Sequence, residues 1–205
     1  MANLRMWGFS CLALVSSLSL SQDVPIPSYV SHPNQEIRVS GLPSLKARSK
    51  DASDVLATAL ATVLNDTGIC CDDASALADR LPQSDPVSLK EVAAKLQGRQ
   101  LLSDGRPVQI ATEYFEPAAI NSGKVIYAIA QKHAPLLVWS SQLYVVAGAI
   151  FDDAVYSDGS EIYVIRKFLL LDPRFSDSRR EVVFNRESED LNRVQGMLFL
   201  TVAPQ

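Results

Sequence analysis

The sequence has few of the residues from which metal centres, disulfide frameworks and phosphate loops are built. Of its 205 residues, only three are cysteine, two are histidine and nine are glycine. No Cys/His cluster has the spacing of a zinc site, and no glycine-rich stretch has the pattern of a phosphate-binding loop. We therefore expect no metal and no other cofactor.

The chain also has only a small excess of charge of one sign: its net charge is −4, and charged residues make up 20% of it. Binding to nucleic acid requires a basic face, which a mildly acidic chain does not favour. The arginines Arg174, Arg179 and Arg180 alternate with acidic residues, and we interpret them as part of a solvated mixed-charge loop. We therefore expect no nucleic-acid partner.

The sequence also has no hydrophobic run of the length that a membrane-spanning helix usually needs. The apolar run "MWGFSCLALVSSLSL" follows Arg5 and ends near Ser19 and Ser21, which have the small-residue spacing of a secretory cleavage site. It is short for a membrane span. We predict a signal peptide over residues 1–21, an extended Pro/Ser-rich leader over 22–43 and one domain over 44–205. The mature protein would be secreted or periplasmic, without a membrane span.

Export would remove Cys11 and leave Cys70 and Cys71, which are adjacent in "NDTGICCDDAS". A bond between neighbouring cysteines closes a strained ring, so we do not expect a stabilising disulfide here. An oxidising compartment leaves three alternatives open: a vicinal disulfide, a mixed disulfide and a link to a partner.

The first part of the domain has the apolar period of helices. In "ASDVLATALATVLNDTG" an apolar stripe predicts a helix that begins at Asp51 or Ser53 and ends at Gly68. The segments "DDASALADRL" and "SLKEVAAKLQG" predict two shorter helices, the second between Ser88 and Gly98. A fourth helix is predicted in "NSGKVIYAIAQKHAP".

After Pro135 the pattern changes to alternation and short apolar runs. Five strands are predicted, in "PLLVW", "QLYVVAGAIFD", "EIYVIRKFLLLD", "REVVF" and "GMLFLTV". Their close spacing, without helices between them, favours an antiparallel sheet. The predicted class is α+β, with helices first and strands afterwards.

Four segments are similar to those of a known enzyme family. The segment "VLATALATVLNDTGI" is similar to its nucleophile helix, and "APLLVWSSQLYVVAGAIFDD" is similar to a strand pair whose second strand opens with a catalytic histidine. The segment "FLLLDP" is similar to the strand that ends in the orienting acid, and "EDLNRVQGMLFL" is similar to the last segment of the family. From about Ala52 to Val202 the chain thus resembles the papain-like cysteine peptidases, in the compact bacterial form related to bacteriocin-leader peptidases. The resemblance implies an N-terminal helical lobe, with a central helix packed on a C-terminal antiparallel sheet lobe.

The resemblance also identifies the positions that would carry catalysis. In this family a thiolate at a helix start attacks, a histidine shuttles the proton, an acid orients the histidine, and a glutamine stabilises the oxyanion. The equivalent positions are Val55 for the nucleophile, Gln142 for the base, Asp172 for the acid and a position near Ser49 for the oxyanion glutamine. Only Asp172 keeps the family's residue type. An amide has no ionisable proton near neutral pH, so Gln142 is not a base.

A shift of register does not restore the site. No cysteine occurs between Cys11 and Cys70, no glutamine between Gln35 and Gln83, and no histidine after His133. We therefore expect no catalytic residue and a non-catalytic pseudopeptidase, which binds a protein or peptide partner in the vestigial groove.

Two alternatives remain. The chain could be an active cysteine peptidase or thiol-dependent protein that uses Cys70 or Cys71 elsewhere, or the likeness could be topological only. We interpret His133 as an exposed residue at a helix end, and His32 as a solvated residue of the leader.

Overall fold

A computed structural model of the chain describes residues 28–43, 47, 50–175, 179–183 and 192–204. Within them the fold is mixed α+β, with four α-helices and eight strands in a single sheet. Every pair of neighbouring strands is antiparallel. The α+β class and the antiparallel sheet predicted from the sequence are confirmed.

The four helices lie where the apolar periodicity predicts them. They are α1 (Ala52–Val63), α2 (Cys71–Ala78), α3 (Leu89–Leu96) and α4 (Ser122–Ala130). Side chains before α3 and α4 satisfy backbone N–H groups that have no partner inside the helix: Ser88 accepts from Glu91, and Asn121 accepts from Lys124. Gly68 has a left-handed φ of 77° at the end of the short 3₁₀ turn Asn65–Thr67 that follows α1, as a glycine at a helix end allows.

The strands are β1 (Tyr29–Arg38), β2 (Gly98–Leu101), β3 (Pro107–Phe115), β4 (Leu136–Trp139), β5 (Gln142–Tyr156), β6 (Glu161–Leu171), β7 (Arg179–Val183) and β8 (Val194–Pro204). Seven of them follow the order β2-β3-β8-β4-β5-β6-β7. The remaining strand, β1, pairs with the second half of β5, while β4 pairs with its first half.

Three of these strands, β1, β2 and β3, are not predicted from the sequence. The hairpin of β2 and β3 precedes α4, so helices and strands alternate in this part of the chain instead of separating near Pro135. Strand β1 lies within the segment predicted as a leader, and it is hydrogen-bonded to β5. Nine of its ten side chains are exposed, so its sequence carries no apolar alternation.

Helices α3 and α4 cover opposite faces of the sheet. The adjacent residues Tyr114 and Phe115 of β3 point to opposite sides, because side chains alternate along a strand. Tyr114 lines a cleft with Ser88 at the start of α3. The ring of Phe115 lies 4.9 Å from the Lys124 ammonium of α4.

Helix α1 packs on α2 and on β5. Its apolar stripe is fully enclosed, with Leu56, Ala59 and Leu60 each at most 1% exposed. This packing fixes the start of α1 next to the first residues of β5, and a cleft opens between them.

Candidate functional site

The cleft at the start of α1 has a volume of about 330 Å³. We call it the Gln142 cleft. The residues that line it include Lys50, Val55, Asp85, Gln142, Arg174 and the two serines of the β4–β5 turn. They come from α1, from the loop before α3, from the β4–β5 turn and from the segment after β6, so the site depends on the whole fold.

A tight turn positions Gln142. Ser140 and Ser141 connect β4 to β5 and have φ angles of 49° and 61°. Positive φ at both central residues is the geometry of a two-residue type I′ hairpin, where Asn-Gly is the usual sequence. Because two serines adopt it here, their hydroxyls lie at the mouth of the cleft, and Gln142 becomes the first residue of β5.

Behind Gln142, a buried ion pair joins Asp172 and Arg174. The Asp172 side chain is completely buried, and that of Arg174 is 16% exposed. Arg174 donates to Asp172 from Nε at 2.7 Å and from Nη2 at 2.6 Å, in a bidentate arrangement. These hydrogen bonds raise the pKa of the Arg174 guanidinium above its ordinary value.

The same guanidinium also holds Gln142. Arg174 Nη2 donates to Gln142 Oε1 at 2.6 Å, and the Tyr144 hydroxyl donates to the same oxygen at 2.9 Å. The guanidinium lies 5.8 Å from the centre of the Tyr144 ring. Asp172, Arg174, Gln142 and Tyr144 therefore form one hydrogen-bonded cluster.

The structure brings together three of the four positions that the resemblance identifies. Val55, 7% exposed, lies in α1 and lines the cleft with Gln142. Asp172 connects to Gln142 through Arg174. The position near Ser49 lies outside the described residues. Among the described residues that line the cleft there is neither a cysteine nor a histidine, so those side chains offer no thiol and no imidazole.

Arg174 is a residue of the candidate site that is not predicted from the sequence. From the sequence, the arginines after β6 are expected to be solvated, which is wrong for Arg174. Its burial follows from the close approach of Gln142, 32 positions earlier in the chain. One local signal exists, since Asp172 and Arg174 flank Pro173 and the Arg174 backbone N–H also donates to Asp172, at 3.1 Å.

The two adjacent cysteines lie at the start of α2, and neither lines the Gln142 cleft. Both are exposed and free. The Cys70 thiol donates to the Asp73 carboxylate at 3.2 Å. Asp73 also accepts hydrogen bonds from the hydroxyl and, at 2.8 Å, from the backbone of Ser103. These donors, the Ser103 hydroxyl foremost, lower the pKa of Asp73 to about 2.

The two histidines lie elsewhere. His133 is exposed after α4 and lines a different cleft of about 230 Å³, between α4 and strands β3 and β8. His32 lies on β1, half-exposed, with Nδ1 3.1 Å from a carboxylate oxygen of Asp153. Neither ring lines the Gln142 cleft.

Within the described ranges, no group of three or more His, Cys, Asp or Glu side chains is arranged to hold a metal ion. No helix in this part of the chain is both long and apolar enough to cross a membrane. Comparison with known proteins found no matching family model, no similar curated protein and no similar solved structure.

Proposed function

We propose that the chain is an exported protein of papain-like fold that has lost catalysis and acts by binding a peptide or protein in the Gln142 cleft. One observation carries the proposal: Val55 and Gln142, chosen from separate segments of the sequence, line one cleft, and Asp172, from a third segment, is linked to Gln142 through Arg174 behind it. A purely local likeness would not require the three segments to converge.

The arrangement of elements agrees with the proposal. Helix α1 precedes strands β2 to β8 in the chain and packs on β5, and its start faces the strand that would open with the histidine. The strand that ends in Asp172 is β6, which pairs directly with β5. Strands β1, β2 and β3 are additional to the segments that carry the resemblance.

The chemistry of the cleft favours binding over hydrolysis. A thiolate needs a cysteine and a proton shuttle needs an imidazole, whereas valine and glutamine occupy these positions. The Asp172 carboxylate, which would orient the histidine, is bound by Arg174 at 2.6 and 2.7 Å. Loss of a catalytic triad leaves only about 10³–10⁴-fold acceleration over water, which ordinary peptidase assays do not detect.

Export rests on the signal-like N-terminus, and residues 1–27 lie outside the described ranges. We expect the mature chain to begin near Gln22. Edman sequencing of material recovered from the culture medium or periplasm tests this, and an intact Met1 there would contradict it.

Incubation of the purified protein with a mixed peptide library tests the activity. We expect peptides to be retained on the protein and recovered uncleaved, as measured by mass spectrometry. Cleavage that disappears on replacement of Cys70, Cys71 or His133 would overturn the proposal.

The thiol-dependent alternative draws on the exposure of Cys70 and Cys71. In its present geometry the Cys70 thiol contacts a carboxylate instead of an imidazole. Titration with a thiol-reactive dye distinguishes the two functions, because only the alternative requires one of these thiols to react far faster than a free cysteine at neutral pH.

A further inference from the structure

The amide of Gln142 has a defined orientation. Its oxygen accepts two hydrogen bonds, from Tyr144 and Arg174, which use both of its lone pairs. Its nitrogen has no acceptor among the described residues, and the side chain lines the cleft. The cluster with Asp172 therefore converts position 142 into a fixed hydrogen-bond donor directed at the cleft.

Further donors surround this amide. Ser140 and Ser141 line the cleft from the turn, and Lys50 also lines it, with its ammonium 5.6 Å from the centre of the Phe175 ring. The Ser141 hydroxyl oxygen accepts from Gln195 Nε2 at 3.4 Å, so its own proton is available to donate. Asp85 is the acidic side chain among the described residues of the lining. The cleft is thus richer in donors than in acceptors.

The donors exceed what one peptide carbonyl needs. A carbonyl oxygen has two lone pairs, whereas a carboxylate has about four acceptor sites and a charge that pairs with an ammonium. Apolar surface from Val55 and Leu143 adjoins the donors and suits a side chain next to the bound group. A second cleft of about 270 Å³, beside Tyr114, shares Val87 with the first and offers a path for the preceding residues.

We propose that the Gln142 cleft recognises the C-terminal carboxylate of a peptide. Gln142 Nε2 and a turn hydroxyl donate to the carboxylate oxygens, Lys50 supplies the positive charge, and the last side chain of the peptide lies on Val55. This inference rests on the proposed binding function and specifies its ligand.

Two tetrapeptide libraries provide the probe: one of mixed sequence with free C-terminal carboxylates, and the same library with C-terminal amides. Both are mixed in equal amounts with the full chain, and retained peptides are counted by mass spectrometry. We expect free acids to be enriched by about tenfold or more, as expected for charge-assisted hydrogen bonds.

Three variants assign the preference to the cleft. Gln142→Glu keeps the oxygen that Arg174 and Tyr144 hold but replaces the donor by an acceptor, so the preference should disappear. Lys50→Met should reduce it, and Asp85→Asn should strengthen it because a nearby negative charge is removed. Gln131→Glu, on the exposed end of α4, is the matched control and should leave the preference unchanged. Thermal unfolding verifies that each variant is folded.

The outcomes separate this inference from the function on which it rests. Equal retention of acids and amides would overturn carboxylate recognition while leaving peptide binding in place. Retention of neither library would overturn both. A preference that persists in folded Gln142→Glu would also contradict the inference, because the donor would then lie elsewhere.

Discussion

At the scale of single residues, two buried carboxylates hold segments that are distant in the sequence. Asp172 holds Arg174, which in turn binds Gln142 at the start of β5, 32 positions earlier, and Asp73 joins the start of α2 to Ser103 in the turn between β2 and β3. Each carboxylate is almost completely buried, so loss of its donors would leave a buried polar group without hydrogen-bond partners. The two sites differ in their donors: a bidentate guanidinium holds Asp172, whereas Ser103 and Cys70 donate to Asp73 and the Arg106 guanidinium lies 3.9 Å from it.

Replacement of Arg174 by Met should destabilise the protein by roughly 3–5 kcal/mol, because the Asp172 charge would stay buried without a partner. Urea unfolding at neutral pH measures the change. The double variant Asp172→Leu/Arg174→Met should recover much of the loss. Arg166→Ala is the matched control, since its pair with Asp152 is half-exposed on the arginine side and contributes only about 0–1 kcal/mol. Equal effects of the two arginine variants would contradict the buried pair.

Asp73 makes a contribution to the free energy of unfolding that depends on pH. Its pKa is lowered from 3.8 to about 2 in the folded state, so the folded protein releases this proton more readily than the unfolded chain. The contribution, about 2 kcal/mol, is present above pH 3.8 and is lost as the pH falls through 2. Asp73→Asn should flatten the stability profile in this window, whereas Asp72→Asn, which is exposed, should not. A profile that Asp73→Asn leaves unchanged would exclude this cause.

At the scale of elements, a helix or strand could be predicted where its own sequence carries the apolar pattern of that structure. Helices α1 and α3 carry their own apolar stripes and end signals, and β4 to β6 carry apolar runs, so all were predicted. Strand β3 alternates Val108, Ile110, Thr112 and Tyr114, a signal that was present and missed. Strand β1 has no such signal and contains Pro33, so only its pairing with β5 makes it a strand.

Helix α1 is the element on which the cleft depends. Leu60 is fully buried in it, and truncation to Ala should cost about 2–5 kcal/mol because it leaves a cavity. Leu101→Ala is the matched control, since Leu101 is 51% exposed on β2. Thermal or urea unfolding provides the comparison. A negligible change for Leu60→Ala would mean that α1 is not central to the fold.

Strand β1 approaches β5 so closely that Gly148 has no room for a side chain. A Cβ there would collide with the Ile37 carbonyl oxygen and lie 3.2 Å from the Arg38 Cα. Gly148→Ala should therefore displace β1 and increase hydrogen exchange over residues 29–38. Gly123→Ala is the control, because its nearest contacts, Asn121 and Tyr163, are side-chain atoms at 3.3 and 3.5 Å. Unchanged exchange in β1 would show that the strand is not held at this point.

At the scale of the whole molecule, the candidate site forms where segments that are distant in the sequence come together. The resemblance pointed to Val55, Gln142 and Asp172 in separate segments; Val55 and Gln142 line one cleft, and Asp172 is linked to Gln142 through Arg174 behind it. The sequence could not identify Arg174 as their link, because the burial of that side chain depends on β5 and β6 pairing and on the turn after β6. The amide at position 142 is visible in the sequence, whereas its orientation depends on its contacts with Tyr144 and Arg174.

The central claim is that Val55, Gln142 and Asp172 keep the geometry of a papain-like site. The pKa of a cysteine introduced at position 55 tests it most directly. The variant carries Val55→Cys, Gln142→His and Arg174→Gly. In the same chain Cys11, Cys70 and Cys71 are replaced by serine, so that the introduced cysteine is the one thiol. Removal of Arg174 frees Asp172 to orient the histidine, so the thiol pKa, followed by the pH dependence of alkylation, should fall to about 3.5–7.5. Retention of Arg174 in the matched Val55→Cys/Gln142→His variant should weaken this effect. A thiol that titrates near 8.5 in both variants, as a free cysteine does, would contradict the claim.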